Sequence, residues 1–200
     1  MSQLPPAHFH GSEIVVIDKP ENVSDAISSL LSADILGFDT ETRPSFKKGQ
    51  THIVSLLQLS TREKCFLFRL NRIGLPQELK DLLENRNQLK IGLSLHDDFH
   101  NLNKLAPVAP DGFIDLQQYV KNFKIADNSL TRIYGILFGH RISKGQRLTN
   151  WEAAELSPAQ QAYAALDAMA CIDIYDLLSQ GRFSPYHSPY KVFPEETATE

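Results

Sequence analysis

ILGFDTET, residues Ile35 to Thr42, begins as an apolar run and ends on two carboxylates one residue apart, Asp39 and Glu41. Read as a β-strand, it places positions i and i+2 on one face. Two like charges then sit side by side where burial is expected, which is unfavourable unless something positive lies between them. Five further stretches read as strands by alternation and β-branched content: EIVVID (13–18), HIVSLLQLS (52–60), KCFLFRL (64–70), LKIGLSL (89–95) and GFIDL (112–116). The polar turn TREK (61–64) gives the third and fourth of the early strands hairpin spacing.

Between and after these strands the period changes to that of helices. Ser24–Ser32 carries Ile27, Leu30 and Leu31 on one side, and PQELKDLLEN (76–85) opens on a proline and carries Leu79, Leu82 and Leu83. Further helices are expected over 97–105, in QQYVKNF (117–123) and in SLTRIYGILFG (129–139), the last closed by a glycine. Ser157-Pro158-Ala159-Gln160 spells a capping box with proline in the first helical position, starting a helix that runs to about Ser179. Early strands with a hairpin, followed by strands alternating with helices, predict an α/β fold: a mixed sheet flanked by helices. Residues 1–10 and the Pro- and Ser-bearing segment after Gly181 read as loose ends.

The long helix has an apolar stripe through Ala170, Ile174 and Leu177. Helical periodicity puts Asp167 and Tyr163 on that same stripe, whereas Asp173 and Asp176 fall off it and read as solvated. A carboxylate facing the core one turn from a phenol is commonly an aspartate paired with an arginine or a backbone amide. In KIGLSLHDDFHNLNKL the chain turns from strand to helix at His96-Asp97-Asp98, and only one of those two aspartates can cap the helix. Asp39, Glu41, Asp98 and Asp167 share one explanation in hard-cation chemistry. Mg²⁺ and Mn²⁺ take oxygen ligands and leave positions for water and phosphate. Zinc fits less well, because neither cysteines nor histidines have ligand spacing.

Composition sets the frame. Two hundred residues, 42% of them apolar, suffice for one domain with a sizeable core. A net charge of −4 argues against a protein that coats nucleic acid by charge alone, though not against one that grips a few nucleotides. Cys65 and Cys171 stand in apolar contexts and read as buried free thiols of a cytoplasmic protein. No secretory h-region and no run of about 18 uncharged apolar residues is present, so no membrane segment is expected.

Taken together, three motifs in order resemble the DEDD superfamily of 3′–5′ exonucleases, in its tyrosine-bearing DEDDy branch, the family of RNase D and the Werner-type exonuclease domains. FDTE (38–41) resembles the first motif, KIGLSLHDDFHNL (90–102) the second and YAALD (163–167) the third, Tyr-x-x-x-Asp. The resemblance runs from about residue 34 to 178 and includes Asn150-Trp151 before the last helix. In the second motif the spacing from Gly92 and to Leu102 favours Asp98, leaving Asp97 as cap or outward neighbour.

The resemblance implies an RNase H-like fold with a central five-stranded mixed sheet. It implies a single exonuclease domain over residues 1–181, with 182–200 as a C-terminal tail. It also implies that Asp39, Glu41, Asp98 and Asp167 hold two divalent ions, Mg²⁺ or Mn²⁺, around the terminal phosphodiester, one activating water and one stabilising the leaving oxygen. Tyr163 would orient the attacking water, and nucleoside 5′-monophosphates would leave from the 3′ end of DNA or RNA, with DNA favoured by the Werner-like second motif. Arg141, Lys144 and Arg147 lie in an acid-free loop before the last helix and are the first candidates to grip phosphates; Lys47 and Lys48 are the second. Phe46 and Trp151 are candidates to stack on bases, although Trp151 reads first as a core anchor. The rival readings are an inactive exonuclease fold that only binds nucleic acid, whose signature would be loss of a carboxylate or the tyrosine, and another metal-dependent phosphoesterase.

Overall fold

A computed structural model describes residues 3–47 and 49–185. Its centre is a six-stranded mixed sheet built from β1 (Glu13–Ile17), β2 (Ile35–Thr42), β3 (Val54–Ser60), β4 (Lys64–Phe68), β5 (Leu89–Gly92) and β6 (Phe113–Asp115). The spatial order is β1-β4-β3-β2-β5-β6. Antiparallel pairing of β2 with β3 and of β3 with β4 forms a meander; β1 joins β4, β5 joins β2 and β6 joins β5 in parallel. The expected mixed α/β sheet is present, with six strands in place of five. The sixth is β1, which pairs in register with β4 from Glu13–Lys64 to Ile17–Phe68 at the outer edge of the meander.

Two layers of helices cover the sheet. On one face, α1 (Val23–Leu31), α3 (Gln77–Glu84) and α4 (Leu95–Leu105) bury Leu30, Leu82 and Leu102 against Leu36, Phe38, Leu57 and Phe68. On the other, α6 (Leu130–Phe138) and the 22-residue α7 (Pro158–Ser179) pack on Ile35, Ile91, Leu56 and Leu67. Burial at roughly 25 cal/mol per Å² of apolar surface drives both layers. Helix α2 (Leu70–Ile73) interrupts the stretch read as strand to residue 70, because Arg69 turns inward to donate to the carbonyl of Ala154 (3.4 Å) and also to that of Ala153. A short helix, α5 (Leu116–Tyr119), leads into a 3₁₀ turn at Val120–Phe123, which satisfies the helical reading of that segment.

Helix α7 begins where its sequence says it should. Ser157 accepts from the Gln160 amide (3.2 Å) and the Gln160 side chain accepts from the Ser157 amide (3.0 Å). The same Gln160 donates to Thr149 Oγ1 (3.0 Å) and to the Asn150 carbonyl (3.2 Å), tying the preceding loop to the helix start. From Ala164 to Ile172 the helix is buried without a break, since it lies between the sheet and α6. An inward stripe therefore describes it poorly.

Asp173 and Asp176 are correspondingly not solvated. Asp173 accepts from Tyr134 (3.2 Å) and faces His10 (3.4 Å), and Asp176 pairs with Arg62 (2.7 Å). The N-terminal segment is anchored as well. Arg141 donates its amide to Pro5 (2.8 Å), Ala7 donates to Arg141 (2.9 Å), and Phe9 packs into the α7 face. Residues 3–10 thus brace the loop before α7, where the sequence suggested a loose end. Cys65 and Cys171 are buried free thiols. Phe183 packs on the α7 layer; most of the expected tail, residues 186–200, lies outside the described residues. Among the described residues no helix is long and apolar enough to cross a membrane.

Candidate active site

The strand alternation of β2 sends Gly37, Asp39 and Glu41 to the face covered by α7. Close approach of the helix depends on small residues. A Cβ at Gly37 would lie 1.9 Å from the Ala168 carbonyl oxygen, and Ala164, Ala165 and Ala168 line the helix above. At that contact Asp167 descends from α7, and single carboxylate oxygens of Asp39, Glu41 and Asp167 lie within 4.8 Å of one another. Glu41 and Asp167 are buried, and Oδ1 of Asp167 has no hydrogen-bond partner. The pairing register of β2 shifts directly after Glu41, so this irregularity ends the regular ladder at the site.

Burial and mutual repulsion leave these groups short of positive charge. Burial, then the charges of Asp167, Asp98 and Glu41, holds the Asp39 carboxyl well above the ordinary range. Glu41 is pushed up to about 9 by burial and by Asp167 and Asp98, with Arg147 pulling the other way. Asp167 is raised to about 7 by burial, opposed by the neighbouring Tyr163 phenol. That phenol is itself driven upward, first by burial and then by Asp167 and Glu41. Three acids crowded round an unpartnered oxygen are costly in isolation, and a hard divalent cation satisfies them with the oxygen ligands it prefers. The donor set fits such an ion.

Asp98 stands beside this group in a different posture. Helix α4 starts at Leu95, two residues before the position expected from sequence, because Ser94 adopts a left-handed conformation (φ 63°) that turns the strand abruptly into the helix. Its N-terminus is capped from outside: Asp115, at the end of β6, accepts from the amides of Ser94 and Leu95 (both 3.1 Å) and of Gln117 (2.8 Å). Asp97 is therefore free of capping duty; it is exposed and faces His96. Asp98 points inward, accepts a hydrogen bond from Thr40 and is raised to about 6 by burial. Asp115 was not anticipated, and its Asp-x-Gln hydrogen bond to residue 117 was the available local signal.

The expected basic residues separate into groups. Arg147, exposed on the loop before α7, lies near enough to Glu41 for its charge to pull that carboxyl downward. Arg141 and Lys144 are exposed on the same loop. Lys47 lines a neighbouring cleft of about 400 Å³ with Arg43, Phe46, His52 and Leu148; Lys48 lies outside the described residues. Phe46, 80% exposed, remains available for stacking, while Trp151 is fully buried behind Tyr163, ring centroids 6.1 Å apart, and serves as core. Glu152 was missed. It ties Arg43 (3.0 Å) and His52 (3.1 Å) on one rim of the cleft to the segment carrying Trp151 on the other.

Over residues 14–181 the chain matches the model of a protein family described as 3′–5′ exonuclease. The chain belongs to the 3′–5′ exonuclease family. Its tyrosine and four acids place it in the DEDDy branch. It is 33% identical over 184 residues to the mouse (Mus musculus) "Bifunctional 3′-5′ exonuclease/ATP-dependent helicase WRN", an alignment covering 88% of this chain and 13% of that protein. It is 34% identical over 148 residues to the Drosophila melanogaster "Exonuclease 3′-5′ domain-containing protein 2", covering 72% of this chain and 25% of the relative. The chain thus spans a quarter or less of the length of these two relatives. Among solved structures, the Nibbler exonuclease domain of Aedes aegypti superposes with a TM-score of 0.77 at 22% identity, over 90% of this chain and 96% of that one. RNase D of Escherichia coli superposes with a TM-score of 0.73 at 20% identity, over 82% of this chain and 44% of that one. These two likenesses concern the RNase H-like exonuclease fold.

Proposed function

We propose that this chain is a divalent-metal-dependent 3′–5′ exonuclease that hydrolyses the terminal phosphodiester of a DNA or RNA strand and releases nucleoside 5′-monophosphates. One observation carries the reading: Asp39, Glu41 and Asp167 converge within 4.8 Å, with an orphaned carboxylate oxygen, beside Tyr163 and within the influence of Arg147. Asp39, Glu41, Asp98 and Asp167 are the candidate holders of two ions, Mg²⁺ or Mn²⁺. When bound, such ions supply water of lowered pKa and offset negative charge on the leaving 3′-oxygen.

The remaining work falls to the chain's own groups. Tyr163 donates a hydrogen bond that orients the attacking water or a phosphate oxygen. Arg147 faces the scissile phosphate from the side of Glu41. Arg43 and Lys47 bind phosphates further along the strand, and Phe46 stacks on a base in the adjacent cleft. Residues 1–181 form the exonuclease domain in this reading.

The test is removal of 3′ nucleotides from 3′-overhang duplex, single-stranded DNA and single-stranded RNA, each with Mg²⁺, Mn²⁺ or EDTA. Stepwise release of 5′-monophosphates that EDTA stops and Asp39→Asn abolishes is the expected result. Binding of these strands with no hydrolysis under any metal would replace the reading with that of a nucleic-acid-binding module.

A further inference from the structure

Strand β3 carries a second unsatisfied group next to the acidic cluster. Gln58 is 0% exposed, and neither its Nε2 nor its Oε1 has a hydrogen-bond partner. In the antiparallel register it stands directly opposite Asp39, so the two side chains leave the same face of the sheet, with Cβ atoms about 5 Å apart. On its other side Gln58 is paired with Leu67, and the rows above and below contain Cys65 and Leu56. Its two cross-strand neighbours in the ladder are thus Leu67, which is apolar, and Asp39, which is not.

A buried amide with both ends unpaired loses its water and gains nothing, and a leucine of similar volume would fit this surface without that loss. Gln58 is therefore better explained by a polar partner than by packing, and Asp39 is the polar side chain directly across the ladder. An amide N–H across the strand is a strong partner for a carboxylate, because bonds to charged acceptors are the shorter and stronger ones.

We propose that Gln58 is a positioning residue of the metal site: its Nε2 donates to the Asp39 carboxylate in the metal-loaded protein and fixes the oxygen that faces the ion. This rests on the proposed two-metal site. Partners that orient a ligand in this way commonly govern metal affinity by about 10- to 100-fold.

Gln58→Leu and Gln58→Met remove the donor while keeping the bulk. Melting temperature, followed against Mn²⁺ concentration without substrate, reads metal binding independently of activity. Both variants should melt at or above the wild type in EDTA, yet need about 10- to 100-fold more Mn²⁺ to reach half of the full stabilisation. A wild-type Mn²⁺ midpoint in both variants would overturn the assignment while leaving the metal site standing. A wild type that ignores Mn²⁺ altogether would remove the site and the assignment together. Should the variants fail to fold, the Gln58 side-chain amide resonances of the wild type decide. On adding Mg²⁺ they should shift and exchange more slowly with solvent, and resonances unchanged at saturating Mg²⁺ refute the proposal.

Discussion

Replacing Asp167 by asparagine separates the role of this carboxylate from that of its neighbours, because it deletes one charge from a crowded site and leaves the shape. Asp167 is raised from 3.8 to about 7 in the folded, metal-free protein. A raised folded pKa means that the native state keeps a proton the unfolded chain releases. The resulting stability is fully present below 3.8 and is lost as pH climbs through about 7; the contribution of Glu41 continues to fall until about 9. At about 1.4 kcal/mol per pKa unit, the Asp167 share amounts to about 4 kcal/mol. That is a ceiling, since the acids share protons and Asp39 and Glu41 adjust when one neighbour becomes neutral. For a chain of this length, about 4 kcal/mol corresponds to about 8–16 °C in melting temperature. In EDTA, Asp167→Asn should therefore gain on the wild type by about 3 kcal/mol between pH 5 and pH 8.5, the part of the titration that lies above pH 5, while losing the stabilisation that Mn²⁺ gives the wild type. Thermal melts at both pH values, with and without metal, make the measurement. If the difference between variant and wild type in EDTA is the same at pH 5 and pH 8.5, Asp167 is not a carboxylate under electrostatic stress and the argument for a cation at this point fails.

Two other substitutions probe groups beside the acids. Tyr163→Phe should lower turnover by about 100-fold or more while leaving the Mn²⁺ midpoint in melting experiments unchanged, since the phenol orients a reactant and holds no ion; a matching loss of Mn²⁺ affinity contradicts that division of labour. Arg147→Ala should raise KM for a 3′-overhang substrate, reduce the slope of its salt dependence by about one unit, and move the Glu41 titration, followed by side-chain NMR, further upward; an unchanged salt slope would place Arg147 away from the phosphates.

Much of this site was legible in the sequence because its signals are local. The alternation of β2 aims Asp39 and Glu41 together, the one-turn spacing of α7 stacks Tyr163 over Asp167, and the serine-proline-glutamine box sets the start of that helix. Local signals fail where a partner arrives from elsewhere in the chain. Asp173 and Asp176 look solvated on a helical wheel because Tyr134 and Arg62, which bury or pair them, are 39 and 114 residues away. Asp97 looks like a cap because the actual cap, Asp115, enters from the neighbouring strand β6. The same reasoning explains why Gln58 was passed over. LLQLS is an ordinary buried strand by composition, and one amide among leucines is unremarkable until the register of β3 against β2 sets it opposite Asp39. That register follows from the hairpin and from burial of Leu57 and Leu59 on the opposite face. A one-residue slip would put Gln58 in the apolar layer beneath α1 and α3, and would remove it from the acid it faces. The pairing that buries the core and the pairing that places a donor beside Asp39 are thus one constraint, so strand register, more than any motif, connects stability to the site.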